Sequence, residues 1–382
     1  MMHIPEVINY LKYPLSYHEL ELVFLSEGQK LNHNHKQPPK MPSKILILDG
    51  GLGTSLESKY SVTFSRSTPL WSSHLLVADQ PTLQSCQADF GAVPVDVLLT
   101  ATYQVSLHGF AGTRTEDFPE GILRENVPRF LDDSVSIAER AVGDKGCVAL
   151  SIGPYGACMI PGQEYSGKYD DKHDSLEDLE SWHTERLGVF AEVPKIQERL
   201  GYVALETIPR LDEIIAMRKA LAATPTLSKL PYWTALLSPE KDLRMPDGNS
   251  IEAAVEAMLD PDISPNLPWG IGINCTKVDK LDSLLQIFER TVSSMVEKGK
   301  ITEWPALVLY PDGTNGEVYN TTTQKWEVPD GVDTQRRSSW EGQVEDVVKA
   351  TESRGKWPAI LVGGCCRAGS EDIKKLRDRL IQ

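Results

Sequence analysis

The chain has 382 residues, of which 41% are hydrophobic and 24% are charged, a composition typical of a globular protein with a large core. Its formal net charge of −15 at pH 7 argues against nucleic acid or an anionic membrane surface as the main partner. No apolar stretch approaches the roughly 18 residues that a membrane-spanning helix needs. We therefore predict neither a nucleic-acid-binding protein nor a membrane protein.

Only two of the six cysteines are neighbours in the sequence. They are Cys86, Cys147, Cys158, Cys275, Cys365 and Cys366. This wide spacing is not the dense disulfide framework of a small secreted domain, and it suits a reducing compartment. The sequence therefore predicts a cytoplasmic protein.

Residues 1–40 differ in character from the rest of the chain. They contain four of the eight histidines and no arginine. They also lack the basic start, continuous apolar stretch and small-residue cleavage site of a secretory signal. We expect residues 1–40 to be a disordered or dispensable extension, and residues 41–382 to form a single domain.

From Lys44 onward, short apolar runs alternate with segments of helical periodicity. We predict strands at Ile45–Leu48, Val95–Thr100, Cys147–Ile152, Tyr202–Leu205, Tyr232–Leu237, Gly270–Ile273, Ala306–Leu309 and Ala359–Val362. The clearest predicted helices are Leu176–Leu200, Leu211–Ala223, Ile251–Leu259, Leu281–Lys298, Trp340–Glu352 and Glu371–Ile381. Strands that are each followed by a helix indicate a parallel sheet.

The number of these units selects the architecture. Eight of them in about 340 residues favour a (β/α)8 TIM-type barrel over an open doubly wound sheet. The first strand is not followed by Gly-x-Gly-x-x-Gly, which disfavours a dinucleotide-binding fold. Two long connections, about 58–76 and 154–175, follow strands. We expect both on the face where barrel enzymes carry their active sites.

Informative polar and thiol residues fall where the predicted strands end. They include Asp49-Gly50-Gly51 at the end of the first strand, Thr100 to Gln104 at the end of the second, Ser151 to Gly156 at the end of the third, Glu206-Thr207 at the end of the fourth, Asn274-Cys275 at the end of the sixth and Gly364-Cys365-Cys366 at the end of the eighth. In a closed barrel these strand ends surround one opening. Cys275 is therefore expected to meet Cys365 and Cys366.

Three thiolates without a fourth protein ligand are typical of an open zinc site, which keeps one position for water or substrate. The alternative is a closed structural site, because His74 or His173 could reach the cysteines from a long loop. The remaining cysteines are interpreted as packing residues.

The charge of such a zinc site selects its chemistry. Three thiolates on Zn²⁺ carry a net charge of about −1, which makes a poor Lewis acid but a suitable site for holding another thiol as thiolate. Asp49 and Glu206 would face the same opening and suit a substrate ammonium group. The backbone amides of Gly50 and Gly51 could bind a carboxylate.

Six stretches together resemble the homocysteine S-methyltransferases, from about Lys44 to the C-terminus. They are Leu48-Asp49-Gly50-Gly51-Leu52-Gly53-Thr54, Ser151-Ile152-Gly153-Pro154-Tyr155-Gly156, Glu164-Tyr165-Ser166-Gly167-Lys168-Tyr169, Glu206-Thr207-Ile208-Pro209, Gly272-Ile273-Asn274-Cys275 and Gly363-Gly364-Cys365-Cys366-Arg367. The resemblance implies a zinc-dependent (β/α)8 barrel that methylates homocysteine to methionine.

The resemblance also implies roles for individual residues. Cys275, Cys365 and Cys366 match the zinc ligands, Asp49 and Glu206 match the acidic residues around the homocysteine amino group, and Thr102 lies on the matching second-strand segment. We accordingly predict the substrate-binding residues Asp49, Gly50, Gly51, Thr102, Glu206 and Asn274.

The methyl donor is the least constrained part of the prediction. The Gly-Pro-Tyr-Gly and Glu-Tyr-x-Gly-x-Tyr stretches resemble the branch that uses S-methylmethionine, often with S-adenosylmethionine as a secondary donor. Cation–π contacts to a sulfonium are expected from aromatic residues on the long loops, namely Trp71, Tyr155, Tyr165 and Tyr169. The alternatives are another donor, betaine or a methylfolate, or a barrel in which zinc is purely structural.

Overall fold

The computed structural model describes residues 43–65, 67–239, 242–320, 323, 325–328 and 338–381. The predicted extension, residues 1–40, lies outside the described residues. Among the described residues, no helix is both long and apolar enough to cross a membrane.

Eight parallel strands form the central sheet. They are β1 (Lys44–Ile47), β2 (Val97–Leu99), β3 (Cys147–Ile152), β4 (Leu200–Ile208), β5 (Tyr232–Leu236), β6 (Gly270–Asn274), β7 (Ala306–Tyr310) and β8 (Ala359–Val362). Their order across the sheet is β1-β8-β7-β6-β5-β4-β3-β2. Every predicted strand is present, with boundaries shifted by at most three residues.

The two edge strands meet and close the sheet. Leu48 forms a parallel bridge with Val97, and the Asp49 amide donates to the Val97 carbonyl at 3.2 Å. Because β1 and β2 are the ends of the strand order, this contact completes a barrel. The (β/α)8 prediction is confirmed.

Helices surround the barrel. They are α1 (Leu52–Tyr60), α2 (Leu75–Ala78), α3 (Gln80–Gly91), α4 (Leu107–Gly112), α5 (Val127–Val142), α6 (Leu176–Phe190), α7 (Ile196–Arg199), α8 (Leu211–Ala222), α9 (Ile251–Leu259), α10 (Val278–Glu297), α11 (Trp340–Arg354) and α12 (Ser370–Leu380). The single helix predicted over Leu176–Leu200 is wrong. Pro194 interrupts it, since proline has no amide hydrogen and clashes with the preceding turn, so α6 and α7 are separate.

Alternate residues of the strands belong to two hydrophobic clusters. Leu48, Trp233 and Leu361 lie in one cluster, whereas Ile47 and Ile360 lie in the other together with the helices. Successive side chains of a strand point to opposite faces. The first cluster therefore fills the barrel interior, and the second lies between the strands and the helices.

A β-hairpin that the sequence analysis did not predict follows β7. Its strands, Val318–Asn320 and Lys325–Glu327, are antiparallel and pair Tyr319 with Trp326. The two rings are 5.2 Å apart, and Tyr319 also makes an edge contact with Trp71 at 5.7 Å. The hairpin therefore packs on the connection that follows α1.

Candidate metal and substrate site

A cavity of about 210 Å³ lies at the carboxyl ends of the strands, the usual place for a barrel active site. The three predicted metal ligands line it, as do five of the six predicted substrate-binding residues. These residues are Asp49, Gly50, Gly51, Glu206, Asn274, Cys275, Cys365 and Cys366. The barrel thus brings together residues that are more than 300 positions apart in the sequence.

The sulfur atoms of Cys275, Cys365 and Cys366 all lie within 4.8 Å of one another. In this structure Cys275 and Cys365 form a disulfide, with Cα atoms 5.5 Å apart, and Cys366 is free. The two bonded sulfurs must be reduced before they can ligate a metal. Burial raises the pKa of the Cys366 thiol to about 12, so this group needs a neighbouring cation to be a thiolate at neutral pH. The donor set fits a thiophilic metal ion.

The described residues place no fourth ligand in this group of sulfurs. His173 is instead bonded to Asp170, with 3.0 Å between Nδ1 and Oδ1, and stacks on Tyr155. His74 does not belong to the group either. Within the described part of the chain, the three cysteines therefore form a group without a fourth protein ligand, which is the donor set that the open-site prediction requires.

Asn274 holds Cys275 in an unusual backbone conformation. Cys275 and Thr207 have φ angles of 46° and 59°, in the left-handed region that non-glycine residues seldom adopt. The Asn274 amide oxygen accepts from the Thr207 amide at 2.9 Å. Its nitrogen donates to Thr207 Oγ1 at 2.6 Å and to Cys275 Sγ at 3.4 Å. Asn274 thus positions a predicted metal ligand.

The loops after β1 and β8 approach backbone to backbone. A Cβ at Gly51 would come within 2.4 Å of the Cys365 carbonyl oxygen, and one at Gly50 within 2.2 Å of the Ala368 carbonyl oxygen. Glycine is therefore required at both positions. The Gly51 amide donates to the Ala368 carbonyl at 2.9 Å, so it is already engaged and is not free to bind a substrate carboxylate.

Asp49 and Glu206 are buried carboxyl groups at the cavity. Glu206 is in phase with Ala204 on β4, which lies in the interior cluster, and it accepts a hydrogen bond from the Ser151 hydroxyl. Asp49 Oδ2 accepts from the Leu99 amide at 3.0 Å, while its Oδ1 is buried without a hydrogen-bond partner in the described structure.

The protonation of these two groups follows from their burial. Burial raises the pKa of Asp49 to about 8, with a further increase from the nearby Glu206 charge. Burial also raises the pKa of Glu206 to about 7, against hydrogen bonds that lower it. A cation bound nearby would lower both pKa values again, because an opposite charge favours the ionised carboxylate.

Thr102 is the one predicted substrate-binding residue that does not line the cavity. It is fully buried, and its hydroxyl donates to the Ser151 carbonyl at 2.8 Å. It also shares a 2.6 Å hydrogen bond with the Thr100 hydroxyl, and Thr100 does line the cavity. Thr102 therefore ties β2 to β3 beneath the site.

The aromatic residues predicted for the donor divide into two groups. Trp71 and Tyr165 line the cavity. Tyr155 and Tyr169 do not: the Tyr155 amide donates to Glu213 Oε1 at 2.6 Å, and the Tyr169 hydroxyl donates to the same carboxylate. These two residues shape the loop after β3.

Sequence reasoning missed several residues that line the cavity, namely Tyr103, Tyr319, Trp326, Glu57 and Glu164. Tyr103 and Glu164 lie within stretches that the sequence analysis had already identified, so they could have been predicted. Tyr319 and Trp326 lie in the hairpin, for which the sequence analysis found no pattern. With these residues, the described lining contains four carboxyl groups (Asp49, Glu57, Glu164, Glu206) and no lysine, arginine or histidine.

Fold and site together define a (β/α)8 barrel with three clustered cysteines in an acidic, aromatic cavity at the carboxyl ends of its strands. The family model described as homocysteine S-methyltransferase matches residues 46–380, and the chain belongs to this family. It is accordingly a methyltransferase that acts on homocysteine.

Individual proteins agree with this assignment. Homocysteine S-methyltransferase 1 of Brassica oleracea is 29% identical over 86% of this chain and 91% of its own length. Betaine-homocysteine S-methyltransferase of Drosophila melanogaster is 27% identical over 87% of this chain and 93% of its own length. The metallated form of the homocysteine methyltransferase MmuM from Escherichia coli has the same fold, with a TM-score of 0.63 and 24% identity over 88% of this chain and 96% of that one.

Proposed function

We propose that the protein transfers a methyl group from a sulfonium donor, S-methylmethionine first and S-adenosylmethionine second, to the thiol of L-homocysteine, and that the reaction requires zinc. The observation that carries this proposal is the convergence of three cysteine sulfurs on a cavity whose described charged residues are all acidic.

Cys275, Cys365 and Cys366 are the residues that would hold zinc. When bound, zinc lowers the pKa of a coordinated thiol so that it is a nucleophilic thiolate at neutral pH. Since the cysteines must be reduced to ligate it, we place the enzyme in the cytoplasm. The open position and the cavity beside it favour this role over a purely structural zinc.

Asp49 and Glu206 would bind the homocysteine ammonium group. Both carboxyl groups are buried, and the Glu206 charge raises the pKa of Asp49, so an ammonium bound beside them is stabilised and in turn favours their ionised forms. By fixing the amino acid, they orient its sulfur toward the donor, and orientation accounts for much of the acceleration in such a displacement.

The charge of the cavity selects the donor class. A methylfolate brings carboxylates, for which the described lining has no basic partner. Betaine brings one cationic centre, whereas S-methylmethionine brings two, its sulfonium and its α-ammonium. A relative named for betaine shows that donors differ within the family. Burial raises the pKa of the Asp49, Glu164 and Glu206 carboxyl groups, and these three groups favour the more cationic donor.

The chemical step is a displacement at carbon. The homocysteine sulfur attacks the methyl carbon, the bond from that carbon to the donor sulfur breaks, and its electron pair stays on the donor sulfur. With S-methylmethionine, one methionine forms from the acceptor and another from the donor, and the thiol proton is released.

The test is methionine formation by reduced, zinc-loaded protein from homocysteine and S-methylmethionine carrying deuterated methyl groups. We expect two methionines for each homocysteine consumed, with one labelled methyl group in each. Betaine and a methylfolate in parallel reactions should give little product. Bound zinc with no turnover of any sulfonium would overturn the proposal.

Replacement of zinc by Co²⁺ tests the purely structural alternative. We expect the cobalt absorption bands to change when homocysteine is added, because its sulfur enters the open position. A spectrum that does not respond to the thiol would support the structural role.

A further inference from the structure

We propose that Glu164 binds the α-ammonium group of the methyl donor, and that this contact makes the enzyme selective for donors that carry an amino group. The inference rests on the proposed function, since it assumes a sulfonium donor in this cavity. It assigns a substrate-recognition role to a residue outside the set that the resemblance implied.

Glu164 lies in the long connection after β3 and lines the cavity. Its Oε2 is buried and has no hydrogen-bond partner among the described residues. Glu213, on α8 behind the same connection, is the contrasting case, because it accepts hydrogen bonds from the Tyr155 amide, the Tyr169 hydroxyl and His183. A buried carboxylate oxygen is seldom left without a hydrogen-bond partner. We therefore expect Glu164 to accept a hydrogen bond from a ligand bound in the cavity.

Glu164 is next in the sequence to a residue that contacts one of the three cysteines. Its neighbour Tyr165 places its hydroxyl 3.9 Å from Cys366 Sγ. Glu164, Tyr165 and Cys366 all line the same cavity, so a sulfonium donor bound there beside the cysteines has Glu164 among its neighbours. Asp49 and Glu206 are the carboxyl groups that the proposed function assigns to the homocysteine ammonium, which leaves Glu164 for the donor.

The electrostatics of Glu164 support a cationic ligand. Burial raises the pKa of Glu164 to about 7, and only a backbone hydrogen bond opposes it. An ammonium group in contact with Glu164 would lower this pKa again, because an opposite charge favours the ionised carboxylate. The aromatic rings of Tyr103 and Tyr319 line the same cavity and are available for cation–π contact with the sulfonium, whereas the Trp326 ring already contacts the Arg367 guanidinium, 4.9 Å from its centroid.

Gly162 provides the space in which the Glu164 carboxylate lies. A Cβ added at Gly162 would come within 2.5 Å of Glu164 Oε2. The substitution Gly162→Ala would therefore displace the carboxylate without removing its charge. This offers a second variant that perturbs the contact independently of Glu164→Gln.

The experiment compares two donors at saturating homocysteine: S-methylmethionine and its analogue without the amino group, a dimethylsulfonium butanoate. We measure kcat/KM for both donors with the wild type, Glu164→Gln, Gly162→Ala and Glu57→Gln. Glu57 is the matched control, because it is another carboxyl group of the cavity but lies near the charge of Arg367.

We expect the wild type to prefer S-methylmethionine by roughly 10- to 100-fold, the effect of a hydrogen bond between charged groups. Glu164→Gln should reduce this preference to within about 3-fold, and Gly162→Ala should reduce it in part. Glu57→Gln should retain the preference, and the KM for homocysteine should stay unchanged in Glu164→Gln.

A wild-type preference that persists in Glu164→Gln would overturn the inference and leave the proposed function standing. Equal use of both donors by the wild type would also overturn it. Failure of the zinc-loaded wild type to use either donor would instead overturn the proposed function together with the inference.

Discussion

The side-chain Nδ2 of Asn274 donates two hydrogen bonds, one to Thr207 Oγ1 at 2.6 Å and one to Cys275 Sγ at 3.4 Å. The ends of β4 and β6 are thereby joined directly beneath the predicted metal site. Both partners of Asn274 have backbone conformations that cost free energy in isolation. This contact makes Asn274 a positioning residue for one predicted ligand.

We predict that Asn274→Ala weakens zinc binding by roughly 10- to 100-fold, the usual effect of removing a group that orients a ligand. It should also lower the free energy of unfolding by about 1–3 kcal/mol, because the buried Thr207 amide loses its acceptor. Competition with a chelator and urea unfolding measure the two effects. The control is Thr234→Val on β5, where the hydroxyl is buried without a partner in the described structure; equal zinc affinities in the two variants would contradict the prediction.

Cys366→Ser should lose zinc and activity together, because a serine hydroxyl is a poor ligand for zinc at neutral pH. We expect the zinc affinity to fall by more than about 100-fold, a larger loss than that from replacing a residue that only hydrogen-bonds to a ligand. Cys158→Ser is the matched control, since that thiol faces the backbone of Gln104 and Val105 outside the sulfur cluster. A Cys366→Ser protein with full zinc content and full turnover would remove the assignment.

Glu206→Ala should raise the KM for homocysteine by at least about 10-fold while zinc stays bound, because the ammonium loses a charged partner. Steady-state kinetics with homocysteine varied, together with metal analysis, make the measurement. Thr102→Val is an informative companion, since Thr102 lies behind the cavity; we expect it to affect stability more than KM. An unchanged KM in Glu206→Ala would remove the proposed role of this carboxylate.

The raised pKa of Asp49 predicts how the stability of the reduced, metal-free protein depends on pH. Its ordinary value of 3.8 is raised to about 8 in the folded state, so the folded protein holds a proton that the unfolded chain releases. Stability should therefore fall as the pH rises from about 4 through about 8. In Asp49→Asn this fall should be smaller by at least about 1 kcal/mol, as measured by urea unfolding at pH 5 and pH 9. The same pH dependence in both proteins would contradict the assignment.

Glu213 should control the loop after β3 without touching the substrates. Its carboxylate accepts hydrogen bonds from the Tyr155 amide, the Tyr169 hydroxyl and His183, so Glu213→Ala leaves buried donors unpaired. We expect a loss of about 2–4 kcal/mol in unfolding free energy and a larger fall in kcat/KM for the donor than for homocysteine. Glu180→Ala, which breaks the exposed pair with Lys219, should change stability by no more than about 0.5 kcal/mol. Equal effects on both substrates would point to general destabilisation.

Local patterns in the sequence were sufficient for the elements of the fold. Short apolar runs and 3.6-residue periodicity depend on which faces of a strand or helix are buried, and all eight barrel strands were predicted from them. The exceptions have local causes that compete with that pattern. Pro194 divides the helix that periodicity alone would continue, and the hairpin around Trp326 is too short to show a period.

The cysteine group was also predictable, because barrel topology places all strand ends at one opening however far apart they are in the chain. What the tertiary structure alone decided is how each strand-end residue is used. Hydrogen-bonding groups near one another compete for partners, and that competition depends on distances of a few tenths of an ångström that no sequence pattern encodes. As a result of this competition, the Gly51 amide donates to the Ala368 carbonyl and the Thr102 hydroxyl donates to the Ser151 carbonyl. The Glu164 side chain instead lines the cavity.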